Sequence, residues 1–359
     1  MIYQLARRAL FALDAERAHT LTLKALASGE QLGFGTLLAH RSQAAPVQCM
    51  GLTFPNAVGL AAGFDKNGSC IDALAKLGFG FIEVGTVTPK PQPGNPKPRI
   101  FRLPEAKAVI NRLGFNNEGL PGLQRNLDCT RFDGILGINI GKNKDTPNEH
   151  ALDDYLIGLR AVYARASYVT INISSPNTQG LRDLQGKEAL TRLISELKNA
   201  QSSLQSAHQK RTPLVLKIAP DLTETELDDI AEVLNDVRIE GVIASNTTTA
   251  RDSVADLPSG LETGGLSGAP LMQRATQVLA DLRARLVPEI ALIGTGGICS
   301  GEDALAKVQA GAVLVQFYTG FIYQGPALIA DCINTLADHA RANSEFRTSL
   351  PRNAALETQ

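Results

Sequence analysis

The stretch INISSPNTQGLR, residues 171–182, ends a β-branched apolar run in an asparagine, two serines, a proline and a second asparagine. Ser175 is a candidate base or nucleophile, but a serine is weak in either role unless a neighbour takes its proton. The five histidines, at 19, 40, 150, 208 and 339, end none of the strand-like runs, which disfavours a Ser-His-Asp triad. Lys217 is the second candidate. It interrupts the apolar run PLVLKIA (213–219), and a lysine turned into a folded interior is costly without an anion or dipole beside it. Two partners fit: a carboxylate from another strand, such as Glu83, or an electron-rich ligand. That ligand could be a phosphate, or a flavin ring whose reduced form carries negative charge near N1. Asn111, Asn116, Asn117, Asn139, Asn172, Asn177 and Asn246 complete the set. Singly, each is an ordinary turn or cap residue. Gathered in one pocket, their neutral donors and acceptors could read a flat heterocycle with alternating C=O and N–H edges.

These residues need elements to bring them together. From about Asn56 onward a short apolar run ending in Gly, Asn, Ser or Lys is followed by a helical stretch, again and again. The eight strand candidates are 56–64, 81–88, 135–141, 168–174, 213–219, 241–248, 289–297 and 312–320. Alternating strands and helices imply a parallel sheet. Eight units suit a (β/α)8 TIM barrel, with a doubly wound open sheet as the alternative. Period-two alternation sets Val169, Ile171 and Ile173 against Thr170 and Asn172. It likewise sets Ile138 and Ile140 against Gly137 and Asn139, and Leu214, Leu216 and Ile218 against Val215 and Lys217. If the apolar sets face outer helices, Asn139, Asn172 and Lys217 converge at the carboxyl ends of three strands, where such barrels keep their active sites. GTGG (294–297) and FYTG (317–320), at the last two strand ends, are suited to a phosphate. No G-x-G-x-x-G or Walker A pattern is present, which favours a mononucleotide over a dinucleotide.

Residues 1–40 stand outside this alternation and read as a separate N-terminal unit of two short helices, with Asp14 as a cap between them. Helices this short need something to pack on. The pair is either a cap on the barrel or a membrane-touching hairpin, with Arg7 and Arg8 suited to anionic headgroups. The barrel is expected over 41–339, and the polar, aperiodic 340–359 reads as a disordered tail. Residues 88–117 form a long, proline-rich connection, of the kind that is functional or disordered. A net charge of −1 offers no basic surplus for nucleic acid. Five scattered cysteines without C-x-x-C argue against disulfide, zinc or iron–sulfur frameworks. No apolar run approaches the roughly 20 residues a membrane span needs.

The sequence also carries a resemblance. INISSPNTQGLRDLQ looks like the signature loop of the dihydroorotate dehydrogenases. AAGFDKNG (61–68), EVGTVTPKPQPGNPKPRIFR (83–102), NRLGFNN (111–117), GINIGKNK (137–144), ASNTT (244–248), GGLSG (264–268), GTGGI (294–298) and VQFYTGFIY (315–323) resemble that family's other blocks, in order. In the family the base is cysteine in the soluble class 1 and serine in the membrane-associated class 2, so Ser175 implies class 2. The N-terminal helical pair is similar to the class 2 quinone-access domain. Eukaryotic members carry a presequence and a transmembrane segment, and a chain starting at the helices therefore resembles the bacterial enzymes.

The resemblance implies FMN on the barrel, dihydroorotate and orotate as substrate and product, and ubiquinone or menaquinone as oxidant. It implies a peripheral enzyme on the cytoplasmic face of the bacterial inner membrane, touching the lipid surface, with no iron–sulfur partner subunit and no metal. Ala62, Gly63, Lys66, Thr86, Asn139, Asn172, Lys217, Ser245, Gly268, Gly297, Tyr318 and Thr319 match cofactor positions. Ser245 is commonly threonine in relatives and keeps the hydroxyl. Lys66, Asn111, Arg112, Leu113, Gly114, Phe115, Asn172, Asn177, Asn246 and Thr247 match substrate positions, with Lys66 supplying charge for a carboxylate. Ser175, with Thr178 as a proton relay and Lys217 as charge stabiliser, forms the implied catalytic set. His19, Arg102 and Tyr318 match residues beside the quinone path.

Overall fold

Short β-branched runs separated by amphipathic segments build one closed barrel in the computed structural model, which describes residues 2–31 and 45–349. In chain order the strands are β1 (Val47–Cys49), β2 (Leu52–Phe54), β3 (Val58–Leu60), β4 (Phe81–Val87), β5 (Ile100–Leu103), β6 (Ala108–Asn111) and β7 (Ile135–Ile140). They continue as β8 (Tyr168–Asn172), β9 (Leu214–Lys217), β10 (Gly241–Ala244), β11 (Gly265–Gly268), β12 (Ala291–Thr295) and β13 (Leu314–Phe317). The barrel order is β3-β4-β7-β8-β9-β10-β12-β13, closing back on β3, with parallel neighbours. All eight expected strands are there, and the open-sheet alternative is excluded. The strands at both ends of the series are shorter than the apolar runs that flagged them, because Ala61–Phe64 and Tyr318 onward turn out of the barrel at its mouth.

The period-two reading holds. Val169, Ile171, Ile173, Leu214, Leu216, Ile218, Ile138 and Ile140 belong to the large core between the strands and the outer helices. Inside the barrel the lower half is a separate apolar cluster of Phe54, Phe81, Tyr168, Val215, Ile243, Ile293 and Leu314. Gly59 leaves room for Phe81, whose ring would lie 2.3 Å from a β-carbon there. The upper half of the interior is polar.

Three features depart from the sequence-based expectation. First, the antiparallel hairpin β1–β2 lies before the barrel and delivers Phe54 into the lower interior, edge-on to Phe81 at 5.2 Å. Its strands are three residues long, below the length at which a period of two can be recognised. Second, the connection 88–117 is neither disordered nor loop throughout. β5 and β6 pair in it as a hairpin, and β11 joins as the third strand. The prolines cluster before this hairpin, where no ladder donors are needed. Third, the final helix, Ala327–Ser349, continues through residues 340–349, so that part of the expected tail is helical. Alanines and an i,i+3 pair of Asp338 with Arg341 at 2.5 Å support it. Residues 350–359 and the expected boundary at 40/41 lie outside the described residues.

The N-terminal helices are α1 (Ile2–Phe11) and α2 (Ala15–Gln31). Asp14 caps α2 by accepting from the Arg17 backbone at 2.9 Å, as its position suggests. α1 is tied to the segment after β13: Tyr3 Oη donates to Ile322 O at 2.5 Å and Arg7 to Tyr323 O at 2.6 Å. Among the described residues no helix is long and apolar enough to cross a membrane.

Phe54 is fully buried and plugs the barrel floor. Phe54→Ala should lower stability by about 3–5 kcal/mol, the usual cost of emptying a buried aromatic site. Denaturant unfolding followed by circular dichroism measures it; a loss under about 1 kcal/mol would mean the floor collapses to fill the gap.

Candidate active site

Polar residues on inward strand positions form one connected network above the apolar floor. Glu83 on β4 is its hub: Oε1 accepts from Asn139 at 2.8 Å, and Oε2 accepts from Tyr168 at 2.9 Å and Gln316 at 2.8 Å. Asn139 Oδ1 accepts from Thr86 at 2.5 Å, and Thr86 Oγ1 accepts from Asn172 at 2.9 Å. Asn172 Oδ1 in turn accepts from Ser174 at 3.1 Å. The network holds the Asn139 and Asn172 amides in fixed orientations at the barrel mouth. Such fixed dipoles have no freedom to reorganise during a reaction.

Lys217 ends β9 in register with Asn172 and is 6% exposed. Burial pushes its ammonium below the usual lysine range, and the charge of Glu83 opposes that shift. Glu83 is near enough to be felt but is engaged by three other donors, and no described residue pairs with Lys217 within 4 Å. Its Nζ is therefore a buried cation with capacity to spare at the mouth of the barrel. An anionic or electron-rich group there would compensate it.

Strand-end glycines line the same face. Gly63, Gly268 and Gly297 all have left-handed φ, at 103°, 100° and 88°. A β-carbon at Gly268 would lie 2.3 Å from Lys107 O, and one at Gly297 2.3 Å from Met272 Cα, so only glycine fits either place. The Gly63 amide donates to Gly85 O at 2.7 Å, which fixes Ala62 and Gly63 beside β4. Thr319 opens the helix that follows β13, and its Oγ1 meets Ser267 Oγ at 2.8 Å. Ser245 is buried beyond β10, with its hydroxyl on Asn246 O at 3.2 Å. A buried lysine, glycines open to close approach and a polar cradle of this kind suit a phosphorylated, electron-rich ring such as a flavin mononucleotide.

The loop after β8 covers one side of this mouth. Ser175 is buried, and its Oγ accepts from the Asn177 backbone at 3.3 Å. Thr178 Oγ1 is buried and has no hydrogen-bond partner among the described residues. Asn246 Nδ2 donates to Ser174 Oγ at 3.0 Å, and the Thr247 amide donates to Asn246 Oδ1 at 2.8 Å. Arg182 staples the loop. It donates to Ser174 O at 3.1 Å and Thr247 O at 2.9 Å, and pairs with Asp221 at 2.9 Å. Across the mouth Asn177 Nδ2 donates to Asn111 Oδ1 at 3.2 Å. Leu113, Gly114 and Phe115 follow on the same segment, the last two with left-handed φ. Arg112 belongs to it only through its backbone. Its guanidinium pairs with Glu262 at 2.6 Å and stacks over Phe101, away from the amide cluster. Lys66 is half-buried in the turn after β3; burial and the Arg99 charge push its amine down to about 8.

An apolar cavity of about 520 Å3 leads from this mouth to α1 and α2. Asn111, Ser267 and Thr319 line it, as do Ala6 and Leu10 of α1 and Ala18 and Thr22 of α2. His19 and Tyr318 stand on the cavity wall, with Phe64 edge-on to each, at 5.2 and 5.4 Å. Burial and the Lys66 charge push His19 down to about 4, so it is neutral near pH 7. Arg102 lines the cavity as well and donates to Phe11 O at 3.1 Å and Leu13 O at 3.0 Å, capping the end of α1. His19, Arg102 and Tyr318 thus line one cavity.

Sequence reasoning missed three participants. Gln316 sits at an inward position of LVQF, so strand parity alone could have flagged it. Arg182 is in the quoted loop, but nothing in its spacing signals that it grips two strand ends. Ser267 lies on β11, an element the alternating pattern did not contain.

The sequence profile of the family described as Dihydroorotate dehydrogenase matches residues 44–339. A relative from Thiobacillus denitrificans, named Dihydroorotate dehydrogenase (quinone), is 57% identical over 337 residues, covering 94% of this chain and all of the relative. One of the same name from Acinetobacter baylyi is 56% identical over 336 residues, with 94% and 100% covered. The crystal structure of a DHODH from Eimeria tenella in complex with ferulenol superposes with a TM-score of 0.84 at 40% identity, covering 92% of this chain and 93% of that one.

Proposed function

The chain belongs to the dihydroorotate dehydrogenase family, and from that premise we propose that it oxidises dihydroorotate to orotate, with FMN as hydride acceptor and a membrane quinone as final oxidant, in pyrimidine biosynthesis. The observation that carries this reading is Lys217: a buried ammonium, unpaired among the described residues, in register with Asn172 at the end of its strand.

The substrate loses a proton from C5 and a hydride from C6, which leaves the C5=C6 double bond of orotate. FMN, when bound, would supply the hydride acceptor, with a quinone as the final two-electron oxidant. The chain's own residues do the rest. Lys217 would face the negative charge that reduction places near N1 of the ring. Gly268, Gly297 and the amide of Thr319 would hold the phosphate, and Thr86, Asn139 and Ser245 the ring. Lys66 holds the substrate carboxylate, and Asn111, Asn172, Asn177 and Asn246 read the pyrimidine edges. Ser175 takes the C5 proton. It need not stay ionised if it hands that proton to water, and the unpartnered Thr178 hydroxyl supports a relay at that point.

The quinone reaches the ring edge through the apolar cavity, past His19, Arg102 and Tyr318. Leu5, Leu13 and Leu21 are exposed on the two N-terminal segments that wall it, and Arg7 and Arg8 lie beside them. That combination supports peripheral attachment to a lipid surface with anionic headgroups, on the cytoplasmic face of a bacterial inner membrane.

Anaerobic mixing of the holoenzyme with dihydroorotate should bleach the flavin absorbance, and a quinone analogue should restore it. Ser175→Ala should slow the bleaching by roughly 10²–10⁴-fold, the usual contribution of a positioned base. A wild-type flavin that dihydroorotate leaves oxidised would refute the assignment. The lowered Lys66 adds a pH dependence. The cation that binds the carboxylate is present below about pH 8 and lost above it, so kcat/KM should fall as pH rises through about 8. Lys66→Met should lose that limb; its persistence in the variant would assign it to another group.

A further inference from the structure

A chain of polar contacts runs from the quinone-side helices to the proton-accepting loop, and it starts at a carboxylate with no place in the chemistry above. Glu16 stands in the first turn of α2. Arg99, in the segment before β5, grips it with two parallel bonds: Nε to Oε2 at 3.0 Å and Nη2 to Oε1 at 2.7 Å. Lys97 lies 3.3 Å from the same carboxylate. The remaining nitrogen of Arg99, Nη1, donates to Pro93 O at 2.6 Å and Asn95 O at 2.8 Å. The Asn95 amide then donates to both Arg112 O at 3.0 Å and Asn177 O at 3.1 Å. Asn177 holds Asn111 through its side chain and Ser175 Oγ through its backbone. Every link is a specific hydrogen bond, and the turn at its centre has little slack. A β-carbon on Gly94 would lie 2.2 Å from Leu113 O and 2.8 Å from Arg99 Nη1.

Anchoring alone is a poor explanation for this pair. The Arg99 and Glu16 side chains are 7% and 16% exposed, and an ion pair that has lost most of its hydration contributes little net stability over apolar packing. α2 already has an apolar face against the cavity, where Ala18, Thr22 and Ala25 line the wall. A planar fork that meets a carboxylate on one side and two backbone carbonyls on the other instead specifies orientation. The charges also reach both ends of the site. Glu16 raises the Lys66 and His19 amine and imidazole against the burial that lowers them, while Arg99 lowers Lys66.

On the functional reading above, we propose that Glu16 and Arg99 are positioning residues that couple the seating of α2, where quinone enters, to the geometry of the Ser175–Asn177 loop, where dihydroorotate binds. Coupling of this kind is reciprocal, so a change confined to α2 must alter affinity at the pyrimidine site.

Glu16→Gln in the full-length holoenzyme keeps the size of the side chain and removes its charge. Orotate binding is read from the shift it causes in the flavin spectrum, and the reductive step from anaerobic bleaching by dihydroorotate. The expected result is orotate affinity weakened by about 5- to 150-fold, the usual span of an inter-site coupling. Flavin content should stay close to wild type, whereas the thermal midpoint should fall because the buried Arg99 loses its counter-charge, so binding is compared at a temperature where both proteins are fully folded. The double variant Glu16→Gln/Asn95→Ala should lose less than the product of the two single losses, because both act on one chain of contacts. If wild type and Glu16→Gln bind orotate and are reduced alike, while only reoxidation by quinone changes, the pair is a local anchor and the coupling is wrong. Multiplicative single losses would overturn it too. Should Glu16→Gln fail to fold, Arg99→Lys, which keeps the charge and loses the fork, carries the same comparison. A wild-type protein that dihydroorotate does not bleach would sink the functional reading itself, whereas a bleached wild type with an unaltered variant sinks the coupling alone.

Discussion

One buried cation organises this molecule. Lys217 ends its strand inside a barrel where the carboxylate whose charge acts on it, Glu83, is already engaged by Asn139, Tyr168 and Gln316. A desolvated ammonium in that position is expensive, and on the proposed function the electron-rich ring it meets compensates it. The surrounding amides are locked by the same network that occupies Glu83. Charge and orientation are therefore set together, before any ligand arrives, and this preorganisation is what the chemistry draws on.

The barrel supplies that arrangement through its two-layer interior. Phe54, Phe81 and Tyr168 fill the floor and exclude water from below. Tyr168 also reaches upward to Glu83, so the apolar floor and the polar mouth share a residue. Above the mouth, loops that belong to different strands are bound to one another: Arg182 joins the ends of β8 and β10, and Asn177 meets Asn111 from the added sheet. The N-terminal pair walls an apolar cavity, which on the proposed function is the route of a lipid-soluble oxidant. Two reactants of opposite polarity would then reach one ring from different sides.

Much of this was legible in the chain. Strand parity in YVTIN and LVLK was enough to place Asn172 and Lys217 inside, because a period of two leaves no other option for a strand with one face against helices. The odd residues of the mouth were harder. Arg112 sits within a segment that resembles a substrate loop, yet Glu262, 150 positions away, draws its guanidinium out of the site. The β5–β6 hairpin hid among prolines, and its third strand comes from residues 265–268, so no local pattern could reveal the sheet. Arg99 and Glu16 are 83 positions apart and acquire meaning only when α2 folds back on the barrel. Periodicity reports what a residue's own element requires; long-range pairs depend on how elements meet.

The most direct test of the central claim is the reduction potential of the bound flavin in Lys217→Met. If the buried ammonium stabilises the charge of the reduced ring, its removal should make the two-electron potential more negative by about 60 mV or more, at roughly 30 mV per 1.4 kcal/mol. A potential within about 10 mV of wild type, little more than a twofold change in equilibrium, would contradict the account, because the cation would then have no part in the chemistry for which its burial was argued.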